Sequence, residues 1–406
     1  MECKVCNSKL ESLINFGQMP IANGFLEKNQ FKNEFFYQME VGVCEKCYMF
    51  QLLNQPNKEQ MFNENYAFYT HTSISMMNHF AKFSQRIIQS FLKYKKNPFI
   101  VEIGSNDGST LLNFKNHNIK HLGVEPSKNV ADYARSKFGV NTMNSFFNFE
   151  TAEQIISEYS KADIVFATNV FCHIPYIHSI ISGVKKLLKN DGIFIFEDPY
   201  LLDVLEKTSF DQIYDEHFFL FSIKSIKNLF KIHDMEIIKV EKQQTHGGSM
   251  RYYLANVSQN KTDSSVKKYF DIEKIKGIDD ISQYVMFKKN CESFKHNFYD
   301  FLINIKNNKN KISGYAATSK STTILNYCNI GNDIIDGIYD TTPIKIGKFS
   351  PGSHIPIYNH NKLYSNNPEY LLLFAYNHAK EIFAKEKKFS NSKGRWITYV
   401  PKIEVT

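Results

Sequence analysis

Two pairs of cysteines near the start of the chain have the spacing of metal ligands. They are Cys3 and Cys6, then Cys44 and Cys47, with a stretch typical of short strands and turns between the pairs. Four thiolates can hold Zn²⁺ in a closed tetrahedral site, and so small a module needs a stabilising ion to fold. The alternatives are a redox dithiol, which the paired spacing disfavours, and disulfides, which a reducing compartment disfavours. The spacing predicts a structural zinc module over residues 1–70.

A glycine-rich turn with acidic side chains follows an apolar strand at residues 99–103. In an open α/β sheet, such a turn lets the backbone approach a ligand closely. Its acidic groups suit a cationic sulfonium better than a dinucleotide pyrophosphate, and Glu125, at the end of the next strand, is placed to accept hydrogen bonds from two ribose hydroxyls. The turn therefore predicts a site for S-adenosylmethionine (SAM), with an NAD site or a purely structural turn as alternatives. The predicted cofactor residues are Glu102, Gly104, Asn106, Asp107, Gly108, Glu125 and Asn169.

A histidine closes the strand that begins at Ala162. The run from Asn169 to His173 ends this strand at the same edge of the sheet as the glycine turn. Because that edge faces the donor methyl group, we expect His173 to lie near the substrate. A purely structural histidine is the alternative.

A phenol, a carboxylate and an imidazole come together in Tyr214, Glu216 and His217. Methylation of a carbon beside a carbonyl requires a base to remove a proton and donors to stabilise the enolate. His217 could be that base and Glu216 could orient it, while Tyr214 and Tyr69 could donate to the carbonyl or enolate oxygen. On these residues alone, a loop of aromatic side chains with a surface histidine is an equal alternative.

The surrounding elements alternate in the order of a parallel α/β sheet. Strands are predicted at residues 99–103, 121–125, 162–169 and 192–197, with an antiparallel pair at 236–242 and 250–257. This layout predicts a class I methyltransferase (Rossmann-like) domain over residues 71–257. A charged helical connector follows at 258–310, and a smaller α/β domain at 311–406 has later strands at 334–339, 370–374 and 396–400.

Composition narrows the class of protein. The chain of 406 residues has a net charge of +8, from 49 basic and 41 acidic residues without a basic tail. This balance favours an anionic small substrate over nucleic acid. No apolar run is long enough for a membrane span and no signal peptide is evident, so we expect a soluble cytoplasmic protein.

End to end, the chain resembles the three-domain deoxysugar C-methyltransferases, which add methyl branches to nucleotide-activated 4-keto sugars. No single matching motif is decisive, but the order of all the motifs along the chain is highly specific. They are the two cysteine pairs and residues 101–108, 214–218, 246–251, 314–328, 343–348, 351–356 and 377–382.

The resemblance implies roles for the candidate catalytic residues. His217 would remove the proton beside the ketone, aided by Tyr214 and Glu216, and His173 would lie close to the sugar. A tyrosine of the N-terminal junction also takes part in this family; we assign it to Tyr69, with Tyr66 as the alternative because the segment permits either alignment. Arg251, at the end of the motif 246–251, is expected to bind substrate.

The resemblance also implies that the C-terminal domain is Rossmann-like, lacks its own cofactor and cradles the nucleotide diphosphate. Lys320, Ser321 and Thr322, at the start of a helix, could meet phosphate oxygens. The sequence departs from the family here, because Ala-Ala-Thr-Ser-Lys-Ser-Thr-Thr at 316–323 replaces Gly-Ala-x-Ala-Lys-Gly-Asn-Thr. A solvated lysine at a helix cap is the alternative. Lys345 and Lys348 could also touch phosphate, although such residues are more often surface charges.

We therefore expect a SAM-dependent enzyme, monomeric or homodimeric, that methylates C3 of a dTDP-linked 4-keto deoxysugar through an enolate. An O- or N-methyltransferase acting on a related nucleotide sugar would need no enolate. A non-catalytic zinc and Rossmann-like scaffold is the alternative from another class.

Overall fold

The computed structural model describes residues 1–62, 64, 66 and 68–406, and these residues form three β-sheets. In chain order the strands are β1 (Ile14–Pro20), β2 (Phe36–Val43), β3 (Phe50–Leu52), β4 (Phe99–Ile103), β5 (Lys120–Val124), β6 (Thr142–Met143), β7 (Ala162–Thr168), β8 (Leu188–Pro199), β9 (Phe219–Leu220), β10 (Met235–Gln243), β11 (Ser249–Asn256), β12 (Ile312–Tyr315), β13 (Ile338–Asp340), β14 (Ile357–Asn359), β15 (Tyr370–Leu373), β16 (Arg395–Thr398) and β17 (Glu404–Val405).

The α-helices cover the sheets and connect them. They are α1 (Lys58–Met61), α2 (Ile74–Ile87), α3 (Ser109–Asn116), α4 (Lys128–Tyr133), α5 (Phe149–Glu158), α6 (Ile177–Leu187), α7 (Leu201–Lys207), α8 (Ile223–Lys231), α9 (Ser264–Ile275), α10 (Ile281–Asn307), α11 (Ser319–Tyr327), α12 (Leu363–Asn366), α13 (Ala379–Lys385) and α14 (Lys387–Asn391). Short 3₁₀ turns that matter for the site are Thr70–Thr72, Phe171–His173, Phe210–Gln212 and Thr245–Gly247.

The central sheet has the strand order β10-β11-β8-β7-β4-β5-β6. Strands β4 to β8 are parallel, and β11 runs antiparallel to both β8 and β10. This is the class I methyltransferase arrangement, so the predicted fold is confirmed. Each of the six predicted strands lies within the observed one or exceeds it by one residue. The prediction succeeded because helices cover both faces of the parallel strands, which makes each of them a continuous apolar run.

The N-terminal sheet takes one strand from the methyltransferase domain. Its order is β1-β2-β3-β9, and Phe50 pairs with Leu220 across the join. Strand β9 directly follows the predicted catalytic loop at 214–217. The small N-terminal module thus completes its sheet with a strand of its neighbour, and the catalytic loop enters that shared sheet.

The C-terminal sheet has the order β14-β13-β12-β15-β16-β17, with parallel pairs as far as β16. This is the predicted Rossmann-like layout. One strand prediction was misplaced: Ile334 and Ile335 are fully buried, but they lie in a turn before β13. Burial alone made that segment resemble a strand.

One apolar core runs through all three parts of the molecule. The ring of Phe16 from the N-terminal module lies edge-on to Tyr327 of α11, with centroids 4.9 Å apart, and Phe210 contacts the same tyrosine at 5.3 Å. Among the described residues, no helix has the length and apolarity required to cross a membrane.

Candidate active site

A cavity opens where β4, β5 and β7 end. Five of the seven predicted cofactor residues lie in its wall, which also contains Phe68, Phe80, Phe146 and Phe147. These five are Glu102, Gly104, Asn106, Glu125 and Asn169. The cavity therefore combines an apolar surface for a flat ring with polar groups at the strand ends, as expected for a small-molecule site.

The glycine turn has its shape because side chains would not fit. Gly104 has φ +66°, and a Cβ there would lie 2.5 Å from the side chain of Val170. Gly108 has φ +78°, and its Cβ would lie 2.4 Å from Val140. Both positions thus require glycine for conformation and for space. Gly104 lies in the cavity wall, whereas Gly108 lies outside the wall and is the N-cap residue of α3.

Four buried polar atoms in this wall have no hydrogen-bond partner among the described residues. They are Glu102 Oε2, Ser105 Oγ, Asn169 Oδ1 and His173 Nε2. Buried polar atoms are nearly always paired, so a group of orphans around one cavity indicates a polar ligand. SAM offers an amine, a carboxylate and two ribose hydroxyls to such atoms. The residues present therefore fit the predicted cofactor.

Two buried carboxyl groups with raised pKa values lie in the cavity wall. Burial raises the pKa of Glu102 well above its usual range, and it raises the pKa of Glu125 to about 7. The carboxylate of Glu125 accepts hydrogen bonds from the backbone N–H groups of Asn106 (2.9 Å) and Ser127 (2.8 Å). These bonds hold Glu125 at the end of β5, where a ribose would arrive.

Asn106 and Asp107 bind the junction segment that covers the cavity. Asn106 Oδ1 accepts hydrogen bonds from the backbone N–H and the hydroxyl of Thr70, each at 3.1 Å. The fully buried Asp107 carboxylate accepts from the N–H of His71 at 2.9 Å, and its Oδ2 lies 2.7 Å from His71 Nδ1. The acidic turn thus bonds to the protein as well as facing the cavity. Asn106 lies in the cavity wall, whereas Asp107 lies behind it and holds the junction segment.

His217 is buried with a fixed tautomer. Its Nδ1 lies 2.6 Å from the carbonyl oxygen of Gln212, which can only accept, so Nδ1 carries the proton. Nε2 keeps its lone pair and accepts a hydrogen bond from the hydroxyl of Tyr214 at 2.7 Å. Burial, with a smaller effect of His173, holds the pKa of His217 well below its usual value. His217 is therefore a neutral imidazole with a basic nitrogen turned to Tyr214.

His173 packs against the same imidazole. The two rings have centroids 5.3 Å apart, and burial lowers the pKa of His173 to about 3. His173 is therefore neutral, and it lies in the wall of the cofactor cavity. The structure brings His173 and His217 together.

The N-terminal module holds Glu216 and its neighbour. Asn23 donates to Glu216 Oε1 at 2.6 Å, and Tyr66 donates to Oε2 at 3.2 Å. The N–H of Ala22 donates to Asp215 at 2.9 Å. Burial raises the pKa of Glu216, while burial and then the charge of Glu216 raise the pKa of Asp215 to about 8.

The alternative junction tyrosine, Tyr66, is the one that reaches the catalytic loop. The hydroxyl of Tyr69, the preferred candidate from the sequence, accepts instead from Asn129 at 3.1 Å, although its ring lies in the wall of a second cavity. A near-repeat of tyrosines three residues apart left this choice open in the sequence, and the tertiary position of Glu216 distinguishes between them.

The second cavity lies between the catalytic loop and the C-terminal domain. Tyr214, Glu216, Lys320 and Lys345 all contribute to its wall. Burial lowers the pKa of both lysines, and an acidic side chain opposes this effect in each case, Asp211 for Lys320 and Asp340 for Lys345. Lys320 is buried and Lys345 is half-buried, with its amine donating to the carbonyl of Ala317 at 2.8 Å. Two such amines beside the start of α11 suit an anionic ligand.

Ser321 and Thr322 have structural roles at that helix. The N–H of Ser321 donates to the hydroxyl of the capping residue Thr318 at 3.2 Å, and Thr322 Oγ1 donates to the carbonyl of Ala22 at 2.8 Å. Both residues are buried. Thr318 and Ser319, together with Lys320, form the cavity wall instead.

The two cavities share a wall. Tyr66, Phe68, Met76, Asn169 and His246 lie in the walls of both. A ligand at the strand ends and a second ligand against the C-terminal domain would therefore meet at these residues.

The four N-terminal cysteines lie together as predicted. Their sulfur atoms are all within 4.8 Å of one another, with Cys3 and Cys47 at 3.5 Å and Cys6 and Cys44 at 3.4 Å. These separations are too long for disulfides and close to those of thiolates around one Zn²⁺. The hydrogen bond from Cys47 is the main cause that lowers the pKa of Cys3 to about 5, which favours the thiolate. The site fits structural zinc.

Known families match the three parts in the same order. The model of a zinc binding domain matches residues 3–62, that of a methyltransferase domain matches 77–240, and that of the C-methyltransferase C-terminal domain matches 244–401. C-methyltransferase NovU of Streptomyces niveus is 30% identical over 407 aligned positions, which cover 100% of this chain and 96% of NovU. The chain belongs to the three-domain C-methyltransferase family.

Two solved methyltransferases each match less than half of this chain. A SAM-dependent methyltransferase of Anabaena variabilis is 14% identical, with a TM-score of 0.34 over 45% of this chain and 96% of that one. The magnesium protoporphyrin IX methyltransferase of Synechocystis, solved with SAM, is 13% identical, with a TM-score of 0.33 over 45% of this chain and 81% of that one. The strand order of the central sheet identifies the fold of this C-methyltransferase.

Arg251 does not have the position expected of a substrate ligand. It is buried on β11, where its guanidinium lies 2.7 Å from Glu197 and 3.3 Å from Glu241 and covers the ring of Phe83 at 4.5 Å. Although burial opposes it, the hydrogen bond from His79 and the charge of Arg251 lower the pKa of Glu197 to about 2. The donors of Arg251 thus serve an internal ion pair.

Sequence reasoning missed three residues at this site: Asn23, Gln212 and His246. Asn23 contacts Glu216 across 193 positions of sequence, so no local pattern could reveal it. Gln212 acts through its main-chain carbonyl, which any residue possesses. His246 did carry a signal, because two glycines follow it within a motif shared with the family, yet no role was assigned to it.

Proposed function

We propose that this SAM-dependent C-methyltransferase methylates C3 of a nucleotide-linked 4-keto deoxysugar, with dTDP as the nucleotide. The observation that carries the proposal is the neutral His217, whose basic Nε2 accepts from Tyr214. Tyr214 lies in the wall of the second cavity, which shares a wall with the cofactor cavity. A neutral amine would need no such base before it attacks, whereas a carbon beside a ketone must first lose a proton.

The chain's own groups account for proton removal. Once the Tyr214 hydroxyl turns away from Nε2 of His217, that nitrogen takes the proton from the carbon beside the ketone. The Gln212 carbonyl stabilises the imidazolium through Nδ1–H. Tyr214, released from Nε2, donates to the oxygen on which the enolate charge develops. SAM, when bound, supplies an electrophilic methyl group, so that the new C–C bond forms while the electron pair of the broken bond stays on sulfur.

The acceptor would extend from Tyr214 into the C-terminal domain. Its diphosphate is expected at Lys320 and Lys345, beside the N-terminus of α11, where amines and free N–H groups favour negative charge. Asp340, which also lies in the wall, accepts hydrogen bonds from the N–H groups of Ala317 and Thr342, each at 2.7 Å. This network shapes a polar end of the cavity for the nucleotide.

Solvent exchange tests the proposal directly. Purified enzyme is incubated in D₂O with a panel of nucleotide-linked 4-keto-6-deoxyhexoses, with S-adenosylhomocysteine for exchange and with labelled SAM for transfer. We expect deuterium at C3 in the first case and a C-methyl product in the second. His217→Asn should abolish both while SAM still binds by calorimetry.

Other outcomes would identify the rival functions. Methyl transfer to oxygen or nitrogen without exchange would favour the O- or N-methyltransferase and contradict the base assignment. Failure to bind SAM would favour the non-catalytic scaffold.

A further inference from the structure

We infer that His246 contacts the acceptor sugar at the point where the two cavities meet, and that this contact aligns the reacting carbon with the donor methyl group. His246 would thus control methyl transfer rather than proton removal. The inference rests on the proposed function, and it adds a catalytic residue that the base mechanism does not require.

Position is the first argument. His246 lies in the 3₁₀ turn Thr245–Gly247 between β10 and β11, and it contributes to the walls of both cavities. The base, His217, has no such position, because Tyr214 stands between it and the second cavity. His246 is therefore a histidine that both ligands can reach.

The backbone of His246 is held in an uncommon conformation. Its φ of +54° and ψ of +20° lie in the left-handed region, which non-glycine residues rarely adopt. The next residue, Gly247, has φ +87°, and its carbonyl accepts from Lys207 Nζ at 2.5 Å. A Cβ on Gly248 would collide with the carboxylate of Asp203. Such over-determined conformations concentrate at functional sites because they fix the direction of a side chain.

Gln212 joins His246 to the catalytic base. The side-chain amide of Gln212 donates to the carbonyl of His246, and the carbonyl of Gln212 accepts from Nδ1 of His217. Gln212 thus contacts the imidazole of His217 and the backbone of His246. A change in the turn would therefore shift His246 relative to His217.

The imidazole of His246 is available for a ligand. Among the described residues, no hydrogen bond reaches its ring nitrogens. Burial, and then the neighbouring charge of Lys320, lower the pKa of His246 to about 3, so the ring is neutral. A neutral imidazole offers one donor and one acceptor to a sugar oxygen without adding charge beside Lys320 or repelling a sulfonium.

The two chemical steps make different demands. Proton removal depends on Nε2 of His217 and on donors to the ketone oxygen. Methyl transfer requires the carbon, the methyl group and the sulfur to lie in line, and a displacement of about 1 Å can slow such a step by about 10²-fold. His246, in the wall that the cavities share, would affect methyl transfer because it can align the carbon with the methyl group.

The test compares the two steps in His246→Ala, His246→Gln and the unchanged enzyme. Deuterium exchange at C3 is measured with S-adenosylhomocysteine, and methyl transfer is measured in a single turnover with saturating SAM. We expect methyl transfer to fall about 10²-fold in His246→Ala while exchange changes by less than about threefold. His246→Gln, which keeps a donor and an acceptor, should recover part of the transfer rate.

A matched control is His378→Ala. Among the described residues, His378 lies in the wall of the second cavity but not of the first. It should weaken acceptor binding and leave the ratio of exchange to transfer unchanged.

Two outcomes would overturn the inference: transfer at the unchanged rate in both His246 variants, or an equal loss of exchange and transfer in variants with an unchanged melting temperature. If the unchanged enzyme exchanges no proton with any keto sugar, the proposed function itself is wrong, and the inference falls with it.

Discussion

At the scale of single residues, the site depends on which protons its buried groups hold. The structure gives His217 a protonated Nδ1 and a free Nε2 because a carbonyl faces the first and a hydroxyl faces the second. His173 is buried and His246 is half-buried, and both are neutral because desolvation lowers the pKa of each. The sequence predicts the base but cannot predict its tautomer, which depends on a backbone carbonyl five residues earlier.

The lowered pKa of His217 predicts an unusual pH profile. The neutral form is the base, and an ordinary histidine would lose it as the pH falls through about 6.5. Because the pKa of His217 lies below that value, we expect the rate of C3 proton exchange to stay level as the pH drops through 6.5 and to fall only at more acidic pH. An inflection near pH 6.5 would contradict this, provided that circular dichroism shows the fold intact.

Asn23 should prove to be a positioning residue for Glu216. In Asn23→Ala, a buried carboxylate loses a donor, so we expect proton exchange to slow by about tenfold or more, since hydrogen bonds to charged groups contribute about 1.5–3 kcal/mol. Asn15→Ala is the matched control, because Asn15 belongs to the same module but contacts the exposed Glu40. Equal rates in the two variants would show that the Asn23 contact has no catalytic role. A normal rate of proton exchange in Asn23→Gln would support the positioning role.

At the scale of elements, the C-terminal ends of the parallel strands create the cofactor cavity. These elements were predictable because each depends on local patterns: apolar runs for β4, β5 and β7, and glycines where φ is positive. What the glycine turn contacts was not predictable. Asn106 and Asp107 bind the junction at residues 70 and 71, so the same turn holds the segment that covers the ligand.

Replacing one glycine of this turn should separate strain from steric conflict. Gly104→Ala places a methyl group against Val170, whereas Gly347→Ala at φ +86° meets no atom within 4 Å. Both variants carry the left-handed strain of about 1–2 kcal/mol. We expect only Gly104→Ala to weaken SAM binding, by about tenfold or more in calorimetry, since it must also displace the cavity wall. Equal SAM affinities in the two variants would contradict this account of the turn.

At the scale of the whole molecule, the three parts share one apolar core, and the N-terminal module also shares a sheet with the methyltransferase domain. Strand β9 pairs with β3, and α11 donates through Thr322 to the N-terminal module and through Thr323 to Ile213 beside the catalytic loop. The zinc module thus supports the loop that carries Glu216 and His217. Nine of its described residues also line the two cavities, and its fold decides where that loop lies.

Zinc removal should therefore affect the entire molecule. With a strong chelator, we expect the zinc content measured by mass spectrometry to fall, the single calorimetric unfolding transition to move to lower temperature, and proton exchange to be lost. The physical reason is that metal binding contributes directly to folding in such modules. Separate transitions, with the methyltransferase transition unchanged by chelation, would show instead that the parts are independent. Re-addition of Zn²⁺ should restore exchange.

The sequence by itself determined the features that depend on neighbours along the chain. The cysteine spacing predicted the metal site, the apolar runs and the glycine turn predicted the central sheet, and the Tyr214 to His217 block predicted a base. Only the tertiary structure decided which groups meet across long separations: Tyr66 rather than Tyr69 at Glu216, Arg251 in an ion pair, and His246 between two cavities. Such contacts depend on how sheets and domains pack, and local sequence patterns do not encode them.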